Sequence, residues 1–72
     1  MITYYKLLDM LNRRGISKEE LRLAIKASPT TIASISKNEP LALKTINKIC
    51  KFLQCQPGDI LEYVEPDDEK WK

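Results

Sequence analysis

Apolar side chains in the first part of the chain recur three or four positions apart, the spacing of helices that bury one face. This pattern predicts a first helix over about 3–14, ended by Gly15, and a second helix of about eight residues, ending near Lys26. Ser17 and Glu20 form the S-x-x-E capping box that begins the second helix. The apolar positions that define the two helices are Tyr4, Leu7, Leu8, Leu11, Leu21, Ala24 and Ile25.

The next segment is a helix with few large apolar residues. Ser28 is a capping residue, and Pro29 suits the first helical position, so together they predict a helix over 29–36. Its only large apolar side chains are Ile32 and Ile35, which we expect to lie in the core. A broad face of small polar residues is therefore left to meet another molecule.

The longest and most apolar helix is predicted over 42–54, after a loop that ends at Pro40. Pro57 opens a last short turn, from which Ile60 and Leu61 fold back on the core. No stretch shows the alternation of a strand. The apolar positions that define the longest helix are Leu43, Ile46, Ile49, Cys50 and Leu53.

Composition limits the chain to one small domain. Its 72 residues, 43% of them hydrophobic, can fill one core but not two. No apolar run reaches the roughly 18–20 residues of a membrane span, and the first residues do not resemble a signal peptide. We therefore expect a cytoplasmic protein with no membrane segment. Because the chain has no histidine, the usual general bases and metal ligands are missing, and we expect no enzyme, no cofactor and no metal.

The two cysteines, Cys50 and Cys55, match neither a CxxC redox pair nor half of a zinc site. On one helix, positions five apart point about 140° away from each other, so a disulfide within the helix is implausible. We interpret both as small hydrophobic side chains in a reducing compartment.

Charge divides the chain into a basic body and an acidic end. Residues 1–58 carry ten basic and four acidic side chains, whereas residues 59–72 carry two lysines and six acids. The body therefore suggests a polyanionic partner. We divide the chain into a domain over 1–64 and an acidic tail over 65–72, which we expect to be frayed. Trp71 is either part of that frayed tail or an anchor in a dimer contact.

The second and third helices are joined by only about three residues and together form a helix-turn-helix. In such a unit one helix enters the DNA major groove, about 12 Å wide, while the helix before it braces across the backbone. Small polar side chains suit the inserted face, since hydroxyl groups donate and accept and a threonine methyl can meet a thymine methyl.

Several motifs occur in order along the chain. They are Ser17-x-Glu19-Glu20-Leu21, Ser28-Pro29-x-Thr31-Ile32-Ala33-x-Ile35 with Lys37, Thr45-Ile46-x-Lys48-Ile49-Cys50-Lys51-x-Leu53, and Cys55-Gln56-Pro57-Gly58-Asp59-Ile60-Leu61-Glu62. With these motifs, residues 3–63 resemble the Cro/CI-type (XRE-like) helix-turn-helix regulators of bacteria and phages. The closing run resembles a subgroup of very short, single-domain members. The resemblance implies an all-α, compact five-helix bundle of the lambda-repressor type, with residues 29–36 as the recognition helix.

The resemblance also implies which side chains meet DNA. Base contacts are expected from Thr30, Ala33 and Ser34, and phosphate contacts from Lys18, Ser28, Thr31, Lys37, Asn38 and Lys44. The recognition face has no Gln, Asn or Arg before Lys37, so strong bidentate base contacts are missing. Arg22 either clamps a phosphate or pairs with Glu19.

Among the positions that depart from the usual family residues, Lys26 and Ala42 affect the stability of the helix ends. Lys26 stands where glycine is frequent, and a left-handed backbone there would cost about 1 kcal/mol. Ala42 stands where a serine or threonine usually caps the fourth helix, a loss of about 1 kcal/mol.

Among the predicted phosphate ligands, Lys44 is the one whose position has the clearest electrostatic consequence. It lies in the first turn of the fourth helix, where the dipole disfavours a cation, and with the open N–H groups it forms an anion site that a phosphate can occupy. The alternative is an exposed lysine whose ammonium lies in water.

These observations predict a small transcriptional regulator that binds double-stranded DNA sequence-specifically and acts as a repressor. Members of this family usually bind as dimers, and a homodimer of this chain would use helix 5 and the tail, or form only on DNA. The alternative is a protein-interaction module on the same fold, such as an antitoxin or antirepressor component.

Overall fold

Four α-helices, one 3-10 turn and two short strands make up residues 1–65, the part of the chain that this computed structural model describes. In chain order the elements are β1 Ile2–Thr3, α1 Tyr5–Arg14, α2 Lys18–Ile25, α3 Pro29–Ser36, α4 Leu43–Leu53, the turn Pro57–Asp59 and β2 Glu62–Tyr63. The helix bounds predicted from capping and spacing are confirmed to within two residues at each end. The frayed tail and Trp71 lie outside the described residues, so the division at residue 64 stays a prediction.

The predicted start of α2 is formed by the capping box. The Ser17 hydroxyl accepts from the Glu20 backbone N–H at 3.0 Å, and the Ser17 N–H donates to the Glu20 carboxylate at 2.7 Å. These two bonds satisfy backbone N–H donors at the helix start that have no backbone carbonyl partner within the helix. By contrast, Ala42 gives α4 no side-chain cap, as its sequence position predicts.

All four helices end in the same way, with one residue in the left-handed conformation. These residues are Gly15, Lys26, Asn38 and Gln54, with φ of 69°, 55°, 57° and 54°. In each case the next residue donates its N–H back to a carbonyl of the last turn, as Ala27 does to Arg22 at 3.0 Å. This Schellman arrangement needs a positive φ, which only glycine adopts without cost. Lys26 and Gln54 therefore each store about 1 kcal/mol of strain.

Within residues 1–65, two strands and four helices in place of five correct the prediction. Ile2 pairs with Tyr63 and Thr3 with Glu62 in an antiparallel ribbon. The predicted helix 5 is only the three-residue turn at Pro57–Asp59, so the five-helix bundle is wrong in its count although the fold is mostly helical. The physical reason is that Ile60, fully buried after the turn, leads the chain into an extended segment that pairs with the N-terminus. Two-residue strands are too short to show alternation.

The core draws apolar side chains from every helix and from the segments beside the strands. Its buried members are Tyr4, Leu7, Leu11, Leu21, Ile25, Ile35, Ile46, Ile49, Leu53 and Ile60. Ile35 is in this set as expected, and Ile32 packs against it half-buried. Thr3 is the one buried polar residue of the described chain, and its hydroxyl donates to the Glu62 carbonyl. Within residues 1–65, no helix is long and apolar enough to cross a membrane.

The cysteines are closer than helical geometry predicts. Helix α4 ends at Leu53, and the left-handed Gln54 turns the chain so that the Cys55 N–H donates to the Cys50 carbonyl at 3.1 Å. Cys55 therefore lies outside α4, so the angle argument for two cysteines on one helix does not apply to this pair. Both are unpaired, half-buried and packed against the core. Burial is the main cause that raises the pKa of the Cys55 thiol, so the reactive thiolate is disfavoured there.

Candidate nucleic-acid interface

The candidate interface is built on the start of α3. The Ser28 hydroxyl accepts from the Thr31 N–H at 3.3 Å and lies 3.2 Å from the Thr31 hydroxyl, while Pro29 occupies the first turn. Ser28 and Thr31, two of the predicted phosphate ligands, therefore also stabilise the start of α3. Their oxygens retain lone pairs, and the Thr31 side chain is only half-buried.

The three predicted base-contact residues share one face of α3. Thr30 and Ala33 are exposed, and Ser34 is half-buried one helical turn after Thr30. The Ser34 hydroxyl donates to the Glu39 carboxylate at 3.4 Å. This contact places a negative charge beside the face predicted to meet DNA. No local pattern in the sequence predicts this contact, because the turn that brings Glu39 back over Ser34 depends on the left-handed Asn38.

Lys18 joins the two helices of the helix-turn-helix. It is the first residue of α2, and its ammonium donates to the hydroxyl of Ser36, the last residue of α3, at 2.9 Å. The bond uses one of three ammonium hydrogens and leaves the charge uncompensated. Lys18 is therefore held at the surface with two donors left for an anion. Ser36 was not among the predicted residues, and only its position at the helix end hinted at such a role.

Lys37 and Lys44 lie near the two ends of the loop that joins α3 to α4. Lys37 is exposed directly after the last residue of α3. Lys44 is exposed at the second position of α4, whose first turn has no side-chain cap and no acidic residue. The open N–H groups of that turn and the ammonium are thus close in sequence and exposed, as an anion site requires.

Asn38 is engaged differently from its predicted role. Its side-chain oxygen accepts from the Tyr4 backbone N–H at 2.9 Å, and its side-chain nitrogen donates to the Tyr5 hydroxyl at 3.2 Å. The residue thus ties the loop after α3 to the start of α1. The contact of Asn38 with phosphate stays a prediction, for which one side-chain N–H remains.

The same loop is anchored by Tyr4. The buried Tyr4 hydroxyl donates to the Glu39 carbonyl at 2.7 Å. Burial raises the pKa of Tyr4, against the smaller opposing effect of a hydrogen bond from the Leu41 backbone, so the hydroxyl remains a donor. The loop between α3 and α4 is therefore held from two sides.

Of the two roles left open for Arg22, the structure shows the ion pair. Its Nε donates to a Glu19 carboxylate oxygen at 3.0 Å, and a second contact joins its terminal nitrogen to the other oxygen. This hydrogen bond is the main cause that lowers the pKa of Glu19. Such an exposed pair adds little stability, but it occupies the guanidinium that a phosphate would need.

Comparison with known proteins gives consistent results. A family model described as a Cro/C1-type HTH DNA-binding domain matches residues 6–67. The HTH-type transcriptional regulator YozG of Bacillus subtilis (strain 168) is 43% identical over 61 residues, which cover 82% of this chain and 73% of that protein. The crystal structure of the transcriptional regulator VanUg (Form II) superposes with a TM-score of 0.86 at 38% identity, covering 90% of this chain and 87% of that one.

Proposed function

Because the chain belongs to the Cro/C1-type helix-turn-helix family and is a DNA-binding transcriptional regulator, we propose that its helix α3 enters the major groove of a promoter. The bound protein would then repress transcription by occupying that promoter. The observation that carries this proposal is the polar face of α3 with Lys18 and Lys37 at its C-terminal end, neither of them in an ion pair within residues 1–65. Thr30, Ala33 and Ser34 would then face base edges.

We propose that phosphates supply most of the binding free energy. Lys18, whose ammonium is bonded to Ser36 at the C-terminal end of α3, and Lys37 and Lys44, which follow that end in the chain, are exposed cations that can each neutralise one phosphate. Hydroxyl or amide contacts from Ser28, Thr31 and Asn38 add register without adding charge. Because hydroxyl and methyl groups distinguish bases less strongly than an arginine fork does, discrimination between sequences would be moderate.

A homodimer on two half-sites about 34–36 Å apart is part of the proposal. The predicted surface, helix 5, does not form, so a dimer through this region would use the two-stranded ribbon instead. Its register places Ile2 beside Tyr63, and these side chains are 46% and 62% exposed. A regulator that binds chromosomal DNA would act in the cytoplasm of a bacterial cell.

The test is fluorescence anisotropy of the full chain on a duplex from upstream of its own gene, beside a scrambled duplex, at several salt concentrations. We expect log affinity to fall with log salt at a slope of about −0.9 per phosphate contacted. A preference for the upstream duplex would identify a regulator of its own gene. Absence of binding to either duplex at low salt would instead favour the protein-interaction module.

Lys44→Glu tests the phosphate site at the start of α4. We expect weaker binding to both duplexes and a salt slope reduced by about one phosphate. Lys6→Glu is the control, because it makes the same charge change on α1, where the Lys6 ammonium donates to the Gly58 carbonyl at 3.1 Å. Equal affinity of Lys44→Glu and the unaltered protein would exclude Lys44 as a phosphate ligand. Thermal melting of both variants checks that each remains folded.

A further inference from the structure

A second basic surface lies where the end of α2 packs on α4. It is a groove of about 490 Å³, which we call the α2–α4 groove, and its lining residues are Ala24, Ile25, Lys26, Lys48, Lys51 and Phe52. This volume lies within the range of about 300–1,000 Å³ in which ligand pockets usually fall. None of these residues belongs to the set proposed to meet DNA.

The floor of the groove is apolar and partly open to solvent. Ile25 is buried, but the Phe52 ring is 41% exposed although it lies on the last turn of the most apolar helix. The core is complete without this ring, since Ile49 and Leu53 of the same helix are the residues that are fully covered. An exposed aromatic ring beside an aliphatic floor is a typical anchor point for a partner side chain.

The rim of the groove is positive. Lys26, Lys48 and Lys51 are exposed, and no carboxylate is among the lining residues. Within residues 1–65 the two ion pairs are Arg13–Asp9 and Arg22–Glu19, so no ion pair involves a rim lysine. The rim charge therefore acts outward, toward an anionic partner.

DNA is the first alternative to exclude. Lys44, Lys48 and Lys51 follow each other at i, i+4 and i+7 and therefore form one stripe along α4, which a phosphate backbone could follow. The sugar-phosphate backbone, however, offers only small C–H groups of the deoxyribose and no aromatic or large aliphatic side chain to place against Phe52 and Ile25. A peptide that combines carboxylates with an aromatic side chain matches both the rim and the floor.

We propose that the α2–α4 groove binds an acidic peptide segment of a partner protein, with an aromatic side chain against Phe52 and Ile25 and carboxylates beside Lys26, Lys48 and Lys51. The groove and the recognition helix use different residues. Protein and DNA can therefore be bound together, so the regulator can bring such a partner to a promoter.

The test uses the full chain and a short fluorescein-labelled peptide in which aspartates and glutamates surround one tryptophan. Binding is followed by anisotropy at low salt. Two control peptides replace the acids with asparagine and glutamine, or the tryptophan with alanine. We expect saturable binding of the acidic peptide and about tenfold weaker binding of each control.

Variants of the protein locate the site. Lys51→Glu and Phe52→Ala should each weaken peptide binding about tenfold, whereas Lys6→Glu, with the same charge change as Lys51→Glu, should have no effect. Phe52→Ala should leave the affinity for duplex DNA unchanged. Because both side chains are exposed, melting curves should show that the variants remain folded.

Three results would overturn the proposal. They are no saturable binding of the acidic peptide, equal binding of the amide control, and peptide binding that Lys51→Glu leaves unchanged. If the peptide does not bind and Lys51→Glu lowers duplex affinity, the α4 stripe belongs to the DNA surface instead. Duplex binding by the unaltered protein, measured separately, shows whether the proposed DNA function stands when this inference fails.

Discussion

The arginines and the lysines of the described chain are used in opposite ways. All three arginines are bonded within the chain, Arg13 to Asp9, Arg14 to the Leu53 carbonyl at 2.8 Å and Arg22 to Glu19. Of the seven lysines among residues 1–65, only Lys6 and Lys18 donate a hydrogen bond to another residue. The remaining five are Lys26, Lys37, Lys44, Lys48 and Lys51, from the end of α2 onward.

The difference follows from the two side chains. A planar guanidinium with five donors suits fixed partners such as a carboxylate or the last carbonyl of a helix, whereas an ammonium is a compact, well-hydrated charge. The cations from Lys6 to Arg22 are thus bonded within the chain, whereas the five lysines from the end of α2 onward donate no hydrogen bond within residues 1–65. Because bidentate arginine contacts to guanine are missing, we expect binding dominated by phosphates.

The largest effect should come from reversing two of the unpaired charges. Lys37→Glu combined with Lys44→Glu should weaken duplex binding about 50-fold at low salt and reduce the salt slope by about two phosphates. The melting temperature should stay close to that of the unaltered protein, since neither lysine has a partner in the described chain. Anisotropy titrations at several salt concentrations measure the slope. An unchanged slope would mean that Lys37 and Lys44 are solvated side chains that do not contact phosphates.

Removal of a structural arginine should have the reverse signature. Arg14→Met deletes the bond to the Leu53 carbonyl and should lower the free energy of unfolding by about 1–2 kcal/mol. For a domain of this size that is a fall in melting temperature of roughly 4–16 °C. Arg13→Met is the control, because its exposed pair with Asp9 should contribute less than about 0.5 kcal/mol. Equal melting temperatures for the two variants would contradict a structural role for Arg14.

The left-handed helix ends predict a smaller gain in stability. Gln54→Gly should raise the free energy of unfolding by up to about 1 kcal/mol, because glycine adopts a φ of 54° without strain. Gly15→Ala should have the opposite effect at φ 69°, by about 1 kcal/mol, although no atom lies within 4 Å of the added Cβ. Urea unfolding of both variants provides the comparison. A loss of stability in Gln54→Gly would show that its bond to the Lys51 carbonyl outweighs the strain.

The smallest effect should come from Glu39, whose carboxylate accepts a hydrogen bond from Ser34 on α3. Glu39→Gln removes a negative charge next to Ser34 and should raise duplex affinity about threefold at low salt, with no change at high salt. The control is Glu62→Gln, which makes the same charge change on β2, outside the helix-turn-helix. If both variants gain affinity equally, only net charge matters, and the position of Glu39 beside Ser34 has no special role.

Local chemistry let the sequence determine the helices. The Ser17–Glu20 box, Ser28-Pro29 and Gly15 act on neighbours within five residues, so their effects can be read without a fold. For the same reason the helix-turn-helix and the polar face of α3 were predicted correctly. The positions of its exposed residues follow from helical periodicity alone.

The features that join distant parts of the chain depend on tertiary packing and could not be predicted from local sequence patterns. The ribbon pairs residues about 60 positions apart and replaces the predicted fifth helix, and no local pattern marks two-residue strands. The engagement of Asn38 by Tyr4 and Tyr5, and the groove between α2 and α4, likewise depend on how helices pack. Local signals specify where a helix begins and ends, whereas contacts across the fold exist only after the core has closed around them.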